Sequence, residues 1–165
     1  MSQHKELKAP ALDPRTVKVR SGTGYPEIYR AIVAGRAKQA LGDALGLSHF
    51  GVNLTRLAPG AASAQRHWHT AEDEFVYILE GEVELITDAG TQILRPGMAA
   101  GFPAGRPDGH QLVNRSDRDV LYLEIGDRRP EDKAEYPDID LRVLARDGEH
   151  YFAHKDGTPW EAKKK

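Results

Sequence analysis

The segment His67-Trp68-His69 carries two imidazoles that are separated by one residue. In a β-strand, residues i and i+2 point to the same face, whereas on a helix they diverge by about 200°. Only a strand therefore lets both imidazoles reach one ion. The spacing predicts a metal site built on a strand.

A carboxylate follows at Glu74, five residues after His69. In an uninterrupted strand this odd separation would place Glu74 on the opposite face, so we expect a turn at residues 70–73. After that turn, Glu74 opens a new strand and can point back towards the histidines. Asp73 or Glu72 would replace Glu74 as the ligand if the turn were one or two residues different.

A third imidazole, that of His110, follows the Gly- and Pro-rich segment 97–109. Three imidazoles and one carboxylate, without a thiolate, suit Zn, Mn, Fe, Ni, Co or Cu, and they leave positions open on a six-coordinate ion. The sequence therefore predicts one divalent metal ion bound by His67, His69, Glu74 and His110. A substrate could bind this ion directly at the open positions.

The elements that must position these ligands are short strands. The chain of 165 residues has 16 Gly and 10 Pro, and they separate runs rich in Val, Ile, Leu, Phe and Tyr. This pattern is typical of an all-β sandwich or barrel with antiparallel strands. The expected strands are residues 50–57, 75–79, 83–87, 91–94, 111–113 and 120–125.

Two further segments carry local structural signals. Residues 36–45 are rich in Ala, Leu, Lys and Gln, which predicts a turn or two of helix despite Gly42. Residues 140–146 and 149–154 predict a late hairpin, because Asp147-Gly148 between them is a favoured two-residue turn.

The strand that Glu74 opens should direct three apolar side chains outward together: Phe75, Tyr77 and Leu79. A small sandwich face of this kind should not leave so much nonpolar surface in water. Two-fold pairing is the commonest symmetry of soluble oligomers. The sequence therefore predicts a homodimer.

Composition excludes several kinds of partner. Lys and Arg number 23 against 25 Asp and Glu, a net charge of −2, so no basic excess is present to neutralise a nucleic-acid backbone. The longest apolar run, residues 75–79, is far shorter than the roughly 20 residues that span a bilayer, and no signal-peptide apolar region is present. The absence of cysteine excludes thiol catalysis and fits the cytosol. We expect a cytoplasmic protein with a small-molecule ligand and neither a nucleic-acid nor a membrane partner.

The predicted ligands lie in a pattern that resembles both signature motifs of the cupin superfamily. The pattern consists of Gly60, His67-x-His69, Glu74 and Gly81, followed by Gly97, Pro103-x-Gly105, His110 and Asn114. Over residues 50–126 the resemblance implies a cupin-type jelly roll, a double-stranded β-helix barrel, with one divalent metal at the four ligands named above. Two spacers are longer than in the commonest form, six residues before His67 and four before His110.

The whole chain is similar to small single-domain bacterial cupins known as sugar-phosphate isomerase-like. We divide it into an N-terminal arm at residues 1–24, a cupin barrel at 25–126, and a C-terminal arm with a hairpin at 127–165. The length fits one domain.

Three functions are consistent with such a site. A metal-dependent isomerase or epimerase of a hydroxy-carbonyl compound, such as a sugar phosphate, would polarise a carbonyl at the ion and move a proton with a nearby base. A non-haem oxygenase uses the same types of ligand. A non-catalytic module would only bind a small molecule. We prefer an enzyme, and an isomerase over an oxygenase.

Four side chains outside the metal ligands are candidates for substrate chemistry. Arg66 and Arg106 could bind a phosphate at the pocket mouth, and Tyr122 and Glu124 could supply an acid or base from one face of the last barrel strand. The alternative is that this face is polar and points outward. The inner face would then carry Leu121, Leu123 and Ile125.

Overall fold

The computed structural model describes residues 7–160, which form thirteen strands and one short α-helix. The strands are β1 (Arg20–Ser21), β2 (Arg36–Ala40), β3 (Phe50–Leu57), β4 (Trp68–His69), β5 (Glu74–Glu80), β6 (Val83–Thr87), β7 (Gly90–Leu94), β8 (Ala99–Phe102), β9 (Gln111–Val113), β10 (Val120–Asp127), β11 (Ala134–Tyr136), β12 (Leu141–Arg146) and β13 (Glu149–Ala153). Helix α1 is Leu41–Ala44, and 3₁₀ turns occupy Pro14–Thr16, Glu27–Tyr29 and Ala31–Val33. No helix in the described range is long and apolar enough to cross a membrane. The outermost parts of the predicted arms, residues 1–6 and 161–165, lie outside this range.

The strands form three antiparallel sheets. Six of them pair in the order β1-β2-β3-β10-β5-β8, three in the order β7-β6-β9, and four in the order β13-β12-β11-β4. Isolated bridges join Ala62 to Val113 and His67 to His110, so the segment before β4 connects the two smaller sheets into a second layer. The predicted all-β architecture is confirmed, and all six strands expected from the apolar runs are present.

One hydrophobic core joins the layers. Leu57, Ile78 and Val120 from the six-stranded sheet pack in one cluster with Val83 and Leu85 from the three-stranded sheet. The first four of these are at most 1% exposed. Full burial of such an aliphatic side chain contributes about 1.5–3 kcal/mol. The core thus fixes the spacing of the two layers. Glu74 lies on the same inward face of β5 as the core residues of that strand.

The segment 36–45 differs from the prediction. Its first half is strand β2, which pairs with β3 from Arg36 opposite Leu57 to Ala40 opposite Asn53, and only α1 is helical. Helix propensity is a weak preference that tertiary context overrides. Here pairing with β3 along the full length of β2 satisfies the backbone hydrogen bonds of β2. Pairing also makes alternate residues of β2 face the interior, which a helix would not do.

The predicted C-terminal hairpin is confirmed. Strands β12 and β13 pair antiparallel, with Arg146 opposite Glu149. Asp147 and Gly148 between them have φ angles of 54° and 80°. Both angles lie in the left-handed region that a type I′ turn requires and that Asp and Gly tolerate best.

The C-terminal segment pairs directly with the strand that carries His69. In β11, Ala134 lies opposite His69 and Glu135 lies opposite Trp68. Tyr136 of the same strand packs in a second buried cluster with Tyr25 from the other end of the chain. The predicted boundaries at residues 24/25 and 126/127 stay predictions.

The outward face of β5 is apolar, as expected. Phe75, Tyr77 and Leu79 are 41%, 38% and 37% exposed, whereas the alternating Val76 and Ile78 are buried. The homodimer that this face suggests stays a prediction.

Candidate metal centre

The four predicted metal ligands converge around one carboxylate oxygen. The Oε2 atom of Glu74 lies 2.8 Å from the Nε2 atom of His110. The same oxygen is 3.5 Å from Nε2 of His69 and 3.8 Å from Nε2 of His67. The ligand atoms of His67, His69 and Glu74 all lie within 4.8 Å of one another. A cation of the predicted kind needs this convergence of nitrogen and oxygen donors.

Backbone pairing holds two of the histidines side by side. His67 and His110 form a β-bridge, in which the amide of His67 donates to the carbonyl of His110 at 3.1 Å and the reverse bond is 2.8 Å. Their rings lie 4.9 Å apart between centroids. The two cupin-like motifs therefore meet at this bridge.

The turn at residues 70–73 returns Glu74 to the site. Within it, Asp73 accepts a hydrogen bond from the amide of Ala104 at 2.7 Å, and Glu72 accepts one from the amide of Arg129 at 2.7 Å. The two alternative carboxylates are thus engaged with the backbone of neighbouring loops. Glu74 is the one that faces all three histidines.

Second partners orient two of the imidazoles. Nδ1 of His67 lies 2.9 Å from the carbonyl oxygen of Gln65, and Nδ1 of His69 lies 2.6 Å from a carboxylate oxygen of Asp132. Because both partners are acceptors, Nδ1 must carry the proton and the Nε2 lone pair is left for a metal. This arrangement fits a bound divalent ion.

Asp132 is a site residue that sequence reasoning missed. Its side chain is 3% exposed, and it also accepts hydrogen bonds from the amides of Ala71 at 2.8 Å and Glu72 at 3.2 Å. It thus fixes both the turn before Glu74 and the ring of His69. The only signal in the sequence is its place in an acidic segment after the barrel motifs, within the predicted C-terminal arm.

His110 is held by packing. The ring of Phe102 stacks on it with centroids 3.6 Å apart and planes 6° apart. Its Nδ1 atom is buried without a hydrogen-bond partner in the described part of the chain. Its other nitrogen, Nε2, faces Glu74. The hydrogen-bonded nitrogen of this ring is therefore the one that points into the ligand cluster.

Burial and charge set the protonation of the cluster. Burial lowers the pKa of His67 to about 4, so this imidazole is neutral at neutral pH. Burial would raise the pKa of Glu74, but the hydrogen bond from His110 and the nearby imidazoles lower it well below its usual range. Burial would likewise lower the pKa of His69, yet Asp132 and Glu74 raise it. The carboxylates that stabilise a proton on His69 would equally stabilise a metal cation.

Two cavities meet at this cluster. The larger, of about 320 Å³, is lined by residues that include His69, Leu85, Gln92 and Arg106. The smaller, of about 190 Å³, is lined by residues of several elements: Tyr25, Arg36, Lys38, His67 and Glu124 among them. Glu74, Phe102 and His110 line both. A molecule bound at the cluster would therefore have room on two sides.

The two predicted phosphate-binding arginines differ in their surroundings. Arg66 lines neither cavity; it forms ion pairs with Asp138 at 2.7 Å and with Asp88, and it donates to the carbonyl of Gly109 at 3.2 Å. It thus anchors the loop before His110. Arg106 is exposed at the rim of the larger cavity.

The structure decides between the two orientations considered for β10. Tyr122 faces inward and is fully buried, and its hydroxyl lies 3.5 Å from Oε2 of Glu124. The opposite, partly exposed face carries Leu121, Leu123 and Ile125. The interpretation of Tyr122 and Glu124 as an outward polar face is wrong, because the core takes up the tyrosine ring.

Glu124 is held at the wall of the smaller cavity. Its Oε1 atom accepts hydrogen bonds from Nζ of Lys38 at 2.5 Å and from Nδ2 of Asn53 at 3.3 Å. Arg36 lines the same cavity two residues before Lys38 on β2. Sequence analysis missed Arg36 and Lys38 because it assigned this segment to a helix, although their i, i+2 spacing is a strand signal.

Comparisons with known proteins agree with this geometry. Residues 53–126 match the cupin domain family. The chain is 45% identical to a sugar phosphate isomerase of the cupin superfamily from Silicibacter pomeroyi DSS-3, with a TM-score of 0.88 over 94% of this chain and 99% of that chain. It is 30% identical to a candidate sugar phosphate isomerase from Acidithiobacillus ferrooxidans ATCC 23270, with a TM-score of 0.69 over 78% and 81% of the two chains.

A more distant likeness concerns the fold alone. The polyketide cyclase RemF from Streptomyces resistomycificus shares 22% identity, with a TM-score of 0.59 over 74% of this chain and 80% of that chain. A comparison with curated proteins finds no match.

Proposed function

The chain belongs to the cupin superfamily and has its jelly-roll fold, and on that premise we propose that it is a metal-dependent isomerase or epimerase of a sugar phosphate or similar hydroxy-carbonyl compound. The observation that carries the proposal is a carboxylate, Glu124, that lines the cavity beside the ligand cluster without facing it as a ligand. The two similar proteins that are described as sugar phosphate isomerases support the substrate class.

The proposed cofactor is one divalent ion bound by His67, His69, Glu74 and His110. Three imidazole nitrogens and one carboxylate oxygen suit Zn, Mn, Fe, Ni, Co or Cu. When bound, such an ion polarises a carbonyl or hydroxyl oxygen of the substrate. The hydrogen bonds at Nδ1 of His67 and Nδ1 of His69 would keep these two rings oriented with Nε2 towards the ion.

Glu124 would act as the proton carrier. Isomerisation moves a proton from the hydroxyl-bearing carbon next to a carbonyl to the former carbonyl carbon, and the proton of that hydroxyl passes to the former carbonyl oxygen. The reaction therefore needs a base but no oxidant. The Lys38 ammonium, 2.5 Å from the Glu124 carboxylate, would orient that base and balance its charge. Tyr122, which lines neither cavity, would only support Glu124 from the core.

The test is a screen of sugar phosphates and small hydroxy acids in D₂O, with NMR detection of deuterium incorporated at carbon. We expect deuterium in the product and a kcat that falls about 10²–10⁴-fold in Glu124→Gln, the usual contribution of a general base. The matched control is Glu82→Gln, since Glu82 lies on the surface in an ion pair with Arg95. Undiminished turnover of Glu124→Gln would contradict the assignment.

The same screen separates the other two functions. Oxygen uptake in proportion to product would identify an oxygenase. Tight binding of a compound without turnover or deuterium exchange would identify a binding module.

A further inference from the structure

We propose that Arg36 and Lys38 form an anion subsite on the His67 side of the ligand cluster, which binds the phosphate or other dianionic group of the substrate. The identity of that substrate rests on the proposed function, whereas the subsite itself rests on the geometry of β2. Arg66 and Arg106, the two arginines that the sequence suggested, differ from Arg36 in their surroundings.

Arg36 is a cation that no carboxylate of residues 7–160 neutralises. Its guanidinium donates to the carbonyl oxygens of Ser63 at 2.5 Å and Gly22 at 3.3 Å. Within residues 7–160 it forms no ion pair, in contrast to Arg66, which has two carboxylate partners. The carbonyls hold the guanidinium in place, and its planar set of donors matches the oxygens of a phosphate.

Lys38 adds a second cation on the same wall. Residues i and i+2 of a strand share a face, and both Arg36 and Lys38 line the smaller cavity. These two positive charges face two carboxylates that line the same cavity, Glu124 and Glu74. A divalent ion bound by Glu74 would leave two positive charges in excess, so the loaded site would match the charge of a dianion.

The charge of Arg36 acts on the interior. Burial raises the pKa of Tyr25, Tyr122 and Tyr136, and the positive charge of Arg36 opposes this rise at each of the three hydroxyls. Tyr25 also lines the cavity. The guanidinium therefore projects its field into the space beside the ligand cluster.

The other two arginines are worse placed for this role. Arg66 is engaged by its carboxylates outside both cavities. Arg106 is exposed at the rim of the larger cavity, beside Asp108. At about 190 Å³, the smaller cavity is more than tenfold larger than the roughly 10–15 Å³ that one water needs. It therefore has room for a phosphate group.

Calorimetric titration with inorganic phosphate at low ionic strength tests the subsite. The probe is added to the protein with its bound ion and again after chelation. We expect binding to the ion-loaded protein that becomes weaker after chelation, because the charge of Glu74 is then uncompensated. In the ion-loaded form, binding should weaken about tenfold or more in Arg36→Gln and in Lys38→Gln, as expected for the loss of a charged hydrogen bond. Arg106→Gln is the control and should bind within twofold of the unchanged protein.

Each variant is also checked for metal content and melting temperature, because Arg36 supports the backbone at Ser63. If Arg36→Gln does not fold, Lys38→Gln decides the outcome. Absence of phosphate binding to the unchanged protein, or equal binding by folded Arg36→Gln and Lys38→Gln, would overturn the subsite. Loss of binding in Arg106→Gln alone would place the anion at the other cavity and would also overturn it.

The outcome is separable from that of the proposed function. Arg36-dependent phosphate binding without isomerisation of any sugar phosphate would support the subsite and refute the isomerase. Isomerisation of an uncharged sugar, with the same kcat/KM in Arg36→Gln, would support the isomerase and refute the subsite.

Discussion

The metal-ligand cluster and the smaller cavity beside it are adjacent but come from different parts of the chain. The ligands lie within the two cupin motifs: His69 and Glu74 are on β4 and β5, and His67 and His110 lie just before β4 and β9. Apart from Glu74, the acidic and basic groups of the cavity come from β2 and β10. The comparison indicates that the motifs would supply the metal ligands, whereas strands outside them would supply the groups that select and process a substrate.

The largest effect is expected when two of the predicted metal ligands are removed. The double variant His67→Ala/His69→Ala should lose its metal, because two of the converging nitrogen donors disappear. Any ion bound only by the folded protein stabilises it, by about 4 kcal/mol when the free ion is 1,000-fold above its Kd. We therefore expect the melting temperature to fall by several degrees as well. Elemental analysis near one ion per chain in this variant would contradict the site.

A smaller effect is expected at the residue that connects the cluster to the C-terminal segment. Asp132→Asn should weaken metal binding about 10–100-fold, the usual cost of removing the partner of a metal-bound histidine. Competition with a chelator measures this change. Asp117→Asn is the matched control, since the Asp117 side chain is 93% exposed. Equal metal affinities of the two variants would show that Asp132 only supports the turn.

The smallest effect concerns the face of β5 opposite the cluster. Tyr77→Lys places a charge among exposed apolar side chains and should weaken the predicted homodimer while leaving metal content unchanged. Light scattering at micromolar concentration should then give the 18.3 kDa of one chain for the variant and twice that mass for the unchanged protein. A monomer in both cases would contradict the homodimer.

The convergence of His67, His69 and Glu74 could be predicted from sequence because its signals are local. The i, i+2 spacing of His67 and His69 requires a strand, and the turn before Glu74 follows from the odd separation. The hairpin around Asp147-Gly148 is equally local, since few residues tolerate its backbone angles.

The cavity wall could not be predicted in the same way. Residues 36–40 favour a helix when taken one by one, and only pairing with β3 makes them a strand. Asp132 lies 63 residues from its partner His69, and no spacing rule connects them. Both features depend on long-range contacts, which local propensity does not contain.

The metal content of two matched variants, Glu74→Gln and Glu124→Gln, tests the central claim most directly. Both changes remove one negative charge from the same interior, but only Glu74 faces the three histidines, whereas Glu124 is held by Lys38. Elemental analysis should show that Glu74→Gln loses most of its metal and that Glu124→Gln retains about one ion per chain, as expected for a single site of this donor set. Full metal content in Glu74→Gln, or loss of the metal in Glu124→Gln, would contradict the division between ligand and proton carrier.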